Sequence, residues 1–122
     1  MTSNAYIKRM TLQTYTTGSL ARMTFSVKDV FALRGHMNSA GNPTWLATHE
    51  QSDDTASVIE QLLEQGATLN GMTHTDELMY SLHGDNMHYG MPKNPLDGTR
   101  ICGGSSSGAA SSVASDEAAE ST

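Results

Sequence analysis

The stretch SDDTASVIEQLLEQGATLNG, residues 52–71, places the strongest constraint on how this chain can fold. Four of its apolar residues fall on one face of a helix: Ala56, Ile59, Leu62 and Leu63. Asp53 or Asp54 can cap that helix and oppose the positive end of its dipole. Gly66 suits the left-handed position that ends a helix, and the residues after it form a short strand pattern. The stretch therefore predicts a helix followed directly by a strand.

A further strand pattern precedes this unit. Residues 23–28, MTFSVK, alternate apolar and polar side chains, which is the period of a strand. A strand, a helix and a second strand in that order predict an α/β unit whose two strands run parallel.

The other segments carry weaker patterns. Residues 1–21 are largely polar, and we expect a loosely docked N-terminal arm there. Residues 34–45 are rich in turn residues and predict a long loop. Residues 73–82, THTDELMYSL, predict a second short helix with Thr75 as its cap. Residues 83–100 predict an irregular loop whose length is more typical of a functional loop than of a spacer.

Charge and cysteine content exclude several classes of function. The net charge is −6, and the seven Lys and Arg residues form no basic cluster, which argues against non-specific nucleic-acid binding. The single cysteine, Cys102, cannot form an intrachain disulfide and favours a reducing compartment. No apolar run approaches the roughly 20 residues that span a bilayer, and no secretory signal is visible. We expect a soluble cytoplasmic protein that binds neither nucleic acid nor membrane.

The Gly/Ser stretch ICGGSSSGAASS, residues 101–112, allows three interpretations. It could be a flexible linker or loop, a cradle for an anion at a helix start, or a catalytic turn. It lacks both the GK[ST] ending of a P-loop and the GxGxxG order of a dinucleotide site. Helix-forming residues follow it directly, so a helix is predicted there.

Three residue types remain as candidate chemistry. Lys28 lies in the apolar setting TFSVKDVF, where it either faces solvent or is desolvated and able to accept a proton. His83 and His88 have neither an HExxH pattern nor a cysteine partner, so no metal is expected. Cys102 is best interpreted as a small half-buried residue beside a tight turn.

Together, three segments resemble the amidase signature family. TFSVKDVFALRGHMNSAGNPTW resembles the strand that ends in a Lys-Asp pair, and GATLNGMTHTDELMYSLHGDNMHYGMPKNPLDGTR resembles the approach to the signature. GGSSSGAASSVA resembles the first part of the signature itself. The details GNPTW and HYGMPKNP are most similar to plant-type indole-3-acetamide hydrolases and their bacterial relatives. The likeness runs from about residue 22 to about residue 114.

The resemblance implies a fold and a mechanism. The fold is an α/β architecture with a mixed sheet flanked by helices, of which this chain would contain the N-terminal part. Lys28 matches the general-base lysine and Ser105 the bridging serine of a Ser–cisSer–Lys triad, with a cis Gly104–Ser105 peptide bond. Such a triad hydrolyses carboxamide C–N bonds without a cofactor or a metal. Indole- or aryl-acetamides are the favoured small-molecule substrates.

The sequence departs from the family at the nucleophile. The family's nucleophilic serine lies in a later glycine-rich stretch, at a distance that would fall beyond Thr122. Four serines of the tail lack the glycine-rich strand context: Ser111, Ser112, Ser115 and Ser121. We therefore expect a partial amidase domain over residues 22–122, ended by a truncated gene, a frameshift or a partial gene model, and inactive alone. The alternatives are a non-catalytic docking or scaffold protein and an A-type component of an amidotransferase.

Overall fold

A three-stranded mixed sheet organises the chain, as seen in a computed structural model that describes residues 4–115. The strands are β1 (Tyr6–Leu12), β2 (Thr24–Lys28) and β3 (Thr68–Thr73), in the order β1-β3-β2. Strand β3 runs parallel to β2 and antiparallel to β1. The helices are α1 (Pro43–Thr48), α2 (Ser57–Glu64) and α3 (Ser107–Ala114), with one 3₁₀ turn at Glu77–Met79. The expected α/β class, with a mixed sheet and helices, is confirmed.

The β2–α2–β3 unit forms as its sequence pattern predicts, and it contains the main hydrophobic core. The core is built from six buried residues: Val27, Leu33, Ile59, Leu63, Leu69 and Met72. Helix α2 contributes Ile59 and Leu63 from its apolar face. Gly66 adopts a left-handed φ of +91°, so the chain turns there and enters β3. Burying each large aliphatic side chain of this kind is worth about 1.5–3 kcal/mol, so this cluster holds the sheet and α2 together.

The predicted cap of α2 is wrong. The N-cap residue is Ala56, whose side chain makes no capping hydrogen bond. Asp53 and Asp54 lie upstream of the helix, where Asp54 forms an exposed ion pair with Arg34 at 3.6 Å. The backbone N–H of Ala56 donates to the carbonyl of Ala32, so the entry into α2 is fixed by a backbone contact with a distant loop.

The expectation of a loosely docked arm is corrected by β1. Residues 6–12 pair with β3 along most of their length, with two irregularities in register. Met10 and Leu12 pack against the core while the basic residues Lys8 and Arg9 face outward. This strand, which has no regular apolar–polar alternation, is defined by its partner β3, which supplies the backbone hydrogen bonds. The division of the chain at residues 21 and 22 into an arm and a domain stays a prediction.

The loop predicted over residues 34–45 runs into a short helix. Asn42 accepts hydrogen bonds through its side-chain oxygen from the backbone N–H groups of Thr44 at 2.8 Å and Trp45 at 3.0 Å. Pro43 occupies the first turn of α1, where its missing N–H is not needed. The sequence NPTW therefore begins α1 by ordinary capping chemistry.

The second predicted helix, over residues 73–82, is absent from the described structure, and Thr75 is not its cap. Strand β3 continues to Thr73, and the next three residues are fully buried. Only the 3₁₀ turn follows, because Leu78 and Met79 adopt positive φ angles of 48° and 60° that an α-helix does not allow.

The approach loop, which we define as residues 80–103, contains no helix or strand, as expected for its glycine- and proline-rich sequence. Asn86 is buried and joins three segments through four hydrogen bonds. Its amide donates to the backbone oxygens of Gly41 and Thr75, and its oxygen accepts from the backbone N–H groups of His88 and Tyr89. The loop then enters α3, which packs against β2 and β3.

Candidate active site

Lys28 and Ser105 meet where β2 ends and α3 is about to begin. Lys28 is the last residue of β2, and Ser105 lies two residues before α3. The Lys28 Nζ donates a hydrogen bond to the Ser105 Oγ at 2.6 Å across a sequence separation of 77 residues. The Gly104–Ser105 peptide bond is cis, as the resemblance implies. The two residues singled out in the sequence are therefore direct partners.

The turn that carries Ser105 is fixed to the end of β3. The backbone N–H of Asp76 donates to the carbonyl of Ser105 at 3.2 Å, and that of Gly108 donates to the carbonyl of His74 at 3.0 Å. A Cβ atom at Gly108 would collide with the backbone of Ala5 and His74. Glycine at this position lets α3 approach the sheet closely enough for Ser105 to reach Lys28. The linker interpretation of the Gly/Ser stretch is thus excluded.

Burial changes the protonation of Lys28. Partial burial lowers the pKa of the Lys28 amine, because desolvation disfavours its charged form, and the carboxylate of Asp76 opposes this by raising the pKa. The lowered pKa increases the neutral fraction of the amine. Lys28 is half-buried and bonded to Ser105, so the solvent-facing interpretation is replaced by the desolvated one.

Asp29, the neighbour of Lys28, organises the loop above the site. Its buried carboxylate accepts hydrogen bonds from the Ser39 N–H at 3.1 Å, from the Ser39 hydroxyl and from the Asn38 amide at 3.2 Å. Burial raises the pKa of the Asp29 carboxyl, and the donors of Ser39 and Asn38 partly reverse that increase. Asp29 therefore anchors residues 38–39 beside the end of β2.

His74 and Asp76 are two fully buried polar residues that the sequence analysis did not select. Neither ring nitrogen of His74 has a hydrogen-bond partner among the described residues, and Tyr89 stacks edge-on against the ring at 6.3 Å. Burial lowers the pKa of His74, while Asp76, the Gly90 backbone and Asp29 raise it; the Gly90 contact does not reach hydrogen-bond geometry. The sequence could have pointed to these residues only through their position directly after β3. The helix predicted over residues 73–82 led the analysis away from that position.

An open apolar groove of about 330 Å³ lies beside the pair. Its polar lining residues are Ser26, Lys28 and Ser106, and its other lining residues are aromatic or aliphatic. Four of these are Phe25, Phe31, Val58 and Leu62. Phe31 and Val58 are partly exposed there.

Three of the four tail serines named above are described, and each donates its hydroxyl hydrogen bond to a backbone carbonyl. The Ser111 hydroxyl donates to the Lys93 carbonyl at 2.6 Å, and the Ser112 hydroxyl donates to the Ala109 carbonyl at 2.9 Å. Ser115 donates to the Ser112 carbonyl at 3.2 Å, and Ser121 lies outside the described residues. None of the three described hydroxyls adjoins Lys28 or Ser105 through a hydrogen bond.

Cys102 and the histidines are placed as follows. Cys102 is half-buried and its thiol contacts the Pro92 carbonyl at 3.4 Å; burial raises the pKa of the thiol, which disfavours the reactive thiolate. His88 pairs with Glu77 at 2.6 Å.

Within residues 4–115, no group of three or more His, Cys, Asp or Glu side chains could hold a metal ion. Among those residues, no helix has the length and apolarity needed to cross a membrane.

Both fold and sequence identify the class of this molecule. The fold of this chain matches that of a chain from a solved structure described as a vestigial protein complex revealing the origins of an s-triazine catabolic enzyme. The TM-score is 0.78 at 27% identity, over 90% of this chain and 27% of that one. The A component of the glutamyl-tRNA(Gln) amidotransferase of Thermotoga maritima has the same fold, with a TM-score of 0.79 at 24% identity, over 91% of this chain and 24% of its own.

Residues 2–121 match the sequence profile of the amidase family, and the chain belongs to that family. It is 46% identical over 114 residues to Amidase 1 of Arabidopsis thaliana, covering 90% of this chain and 27% of the relative. It is 45% identical to the translocon at the outer membrane of chloroplasts 64 of Pisum sativum, covering 80% of this chain and 16% of the relative. It is 37% identical to the A component of the glutamyl-tRNA(Gln) amidotransferase of Halobacterium salinarum, covering 97% of this chain and 27% of the relative. The chain thus spans at most about a quarter of the length of these relatives.

Proposed function

We propose that this chain carries the proton-transfer part of an amidase active site whose complete form hydrolyses carboxamide C–N bonds. The observation that carries the proposal is the 2.6 Å hydrogen bond between the Lys28 Nζ and the Ser105 Oγ. Neutral Lys28 accepts the Ser105 hydroxyl proton, and Ser105 takes the proton of a nucleophilic serine as that serine attacks the amide carbonyl. The proton then passes to the leaving amine or ammonia, and water releases the acid from the acyl-enzyme.

The environment of Lys28 supports this role. A general base must be unprotonated at the working pH, and burial moves the pKa of Lys28 in that direction. The hydrogen bond to Ser105 already has the length that direct proton transfer needs. No cofactor or metal takes part in the proposed steps.

The nucleophile is the missing member, and we propose that the 122-residue chain alone is inactive. Ser111, Ser112 and Ser115 donate their hydroxyl protons to backbone carbonyls, which leaves these three unsuited to the role. In our proposal the attacking serine belongs to a further glycine-rich stretch that this sequence does not contain.

The substrate and location remain proposals that rest on the resemblance. Indole- or aryl-acetamides are the favoured substrates, since GNPTW and HYGMPKNP resemble plant-type indole-3-acetamide hydrolases. A cytoplasmic location is proposed from the single cysteine, Cys102, which favours a reducing compartment. One relative is named as the translocon at the outer membrane of chloroplasts 64, so the location of this chain should be tested directly.

A docking or scaffold role is the second candidate, because a relative 45% identical to this chain is named as a translocon component. The match to the A components of amidotransferases keeps that third role open within the same family. A docking protein would not need a desolvated lysine bonded to a serine, whereas either enzyme would. The Lys28–Ser105 bond therefore favours chemistry over docking.

The first experiment assays the purified 122-residue chain with indole-3-acetamide. We expect no product above the background of the Lys28→Ala variant. Turnover that Lys28→Ala abolishes would contradict the proposed inactivity and place the nucleophile within these 122 residues.

The second experiment reads the locus beyond codon 122 and produces the extended chain if a glycine-rich serine stretch follows, in frame or after a frameshift. Amide hydrolysis should appear and fall by about 10²–10⁴-fold in Lys28→Ala and in Ser105→Ala. Lys8→Ala is the matched control, since Lys8 is exposed and bonds to His36. An extended chain without activity, an effect as large for Lys8 as for Lys28, or an unrelated downstream sequence would favour the docking role.

A further inference from the structure

Asp76 lies behind the turn that carries Ser105 and is fully buried, with 0% of its surface exposed. Its backbone N–H donates to the Ser105 carbonyl at 3.2 Å, so main-chain Asp76 fixes one half of the Lys28–Ser105 pair directly. Its side-chain Oδ2 accepts the backbone N–H of Gly84 at 3.2 Å. One residue thus joins the end of β3, the approach loop and the Ser105 turn.

Gly104 leaves space for the Asp76 carboxylate because it has no side chain. A Cβ atom at Gly104 would lie 2.5 Å from the Asp76 Oδ2, so a larger residue there would displace either the carboxylate or the Ser105 turn. The second oxygen, Oδ1, is buried and has no hydrogen-bond partner among the described residues. A buried carboxylate with an unsatisfied oxygen is costly unless a nearby positive charge compensates it.

We propose that Asp76 is a positioning residue for the Lys28–Ser105 pair: its amide fixes Ser105, and its carboxylate supplies the counter-charge for the ammonium that Lys28 becomes on accepting a proton. This inference rests on the proposed function of the pair. Without the counter-charge, desolvation alone would act on Lys28 and make it too weak a base. The carboxylate therefore sets how far burial depresses the basicity of the lysine.

Asp76 differs from the other titratable groups near the pair in its effect on Lys28. Asp76 is the carboxylate that raises the pKa of Lys28, against the larger lowering by burial. Asp29 adjoins Lys28 in the chain, but its carboxylate is engaged by Ser39 and Asn38, and its charge acts on His74. His74 has a lowered pKa and responds to both carboxylates. Asp29 therefore provides a matched control for Asp76.

The test titrates Lys28 in the full 122-residue chain by NMR, with its three lysines labelled as ¹³C-dimethyl derivatives. Lys28→Arg assigns the Lys28 signal, and Lys8 and Lys93 serve as internal references. In Asp76→Asn the titration midpoint of Lys28 should fall by about one pH unit relative to the wild type, because the opposite charge is lost. Asp29→Asn should leave that midpoint within about 0.3 pH units.

Each outcome separates this inference from the proposed function. A wild-type Lys28 midpoint equal to that of Lys8 would contradict the general-base role itself. A low wild-type midpoint that Asp76→Asn does not move, or that Asp29→Asn moves equally, would overturn the role of Asp76 alone. If Asp76→Asn does not fold, the wild type alone still tests the inference. The NMR signal of the Gly84 amide, which bonds to Asp76, should shift at the pH of the Lys28 titration midpoint. A Gly84 signal that stays constant through that pH would refute the inference.

Discussion

The sheet and the approach loop are ordered by different interactions. The sheet and α2 surround buried aliphatic side chains, and Leu69 near the start of β3 is 0% exposed. The approach loop exposes its apolar side chains instead, with Tyr80 at 95% and Leu96 at 86%. Its backbone is held by side-chain amides such as Asn86, which replace the hydrogen-bond ladder that a loop lacks. Apolar burial thus builds the scaffold, and polar contacts attach the site to it.

The largest effect that would break this contrast is expected in β3. Leu69→Ala should lower the free energy of unfolding by about 3–4 kcal/mol, because it removes apolar contacts and leaves a cavity at the core. Leu96→Ala in the approach loop should change it by less than about 0.5 kcal/mol. Urea denaturation of both variants measures the difference. Equal effects would show that the loop shares the core.

The junction between the two regions is tested by a pair of glycines. Gly108→Ala should destabilise the protein by about 3 kcal/mol, since the new Cβ meets the backbone of Ala5 and His74 rather than a movable side chain. Gly98→Ala is the control, because its added Cβ would have no atom within 4 Å. The same denaturation assay applies. A tolerated Gly108→Ala would mean that α3 does not rest against β3.

A substitution of Asn86 tests whether side-chain hydrogen bonds hold the approach loop in place. Asn86→Ala should cost about 2 kcal/mol, because two backbone carbonyls and two backbone N–H groups lose their buried partner. Amide hydrogen exchange should rise at His88 and Tyr89 but stay unchanged in β3. Faster exchange throughout the sheet would instead assign Asn86 to the core.

The smallest expected effect is a pH dependence at His74, where the sheet meets the loop. Its folded pKa is lowered from 6.5 by burial, so the unfolded chain binds more protons just below that value. Stability should therefore be fully present above about pH 6.5 and decline below it, by at most about 1.4 kcal/mol per pH unit, until the folded pKa is reached. His74→Gln should flatten that part of the profile. A wild-type profile that is level from about pH 5 to 7 would contradict the prediction.

The parts of the fold that local pattern determines could be predicted from the sequence. The alternation in β2, the apolar face of α2 and the stop at Gly66 are all set within a few residues. Strand β1 could not, since its residues become a strand only by pairing with β3, about 60 residues later in the chain. The supposed helix after β3 failed for a similar reason, because Asp76 is drawn into buried contacts with Gly84 and Ser105.

The candidate site shows the same limit. Alternation placed Lys28 on a strand but left its exposure open, because Ser105, to which it bonds, lies 77 positions away. The resemblance to a family supplied that link, and the geometry brings the two residues together. Asp76 and His74 escaped selection since nothing in their local sequence distinguishes a buried acid or histidine from an exposed one.

The separation of Lys28 and Ser105 also has a consequence for the order of folding. The contact closes a loop of 77 residues that contains β3 and the whole approach loop. The entropy cost of closure grows only slowly with loop length, but the contact cannot form until the intervening chain has been synthesised and the sheet has assembled. During translation Lys28 is therefore an ordinary exposed amine until Ser105 has been synthesised. We expect its basicity to fall only when α3 docks against the sheet, which makes this lysine a natural reporter of that docking.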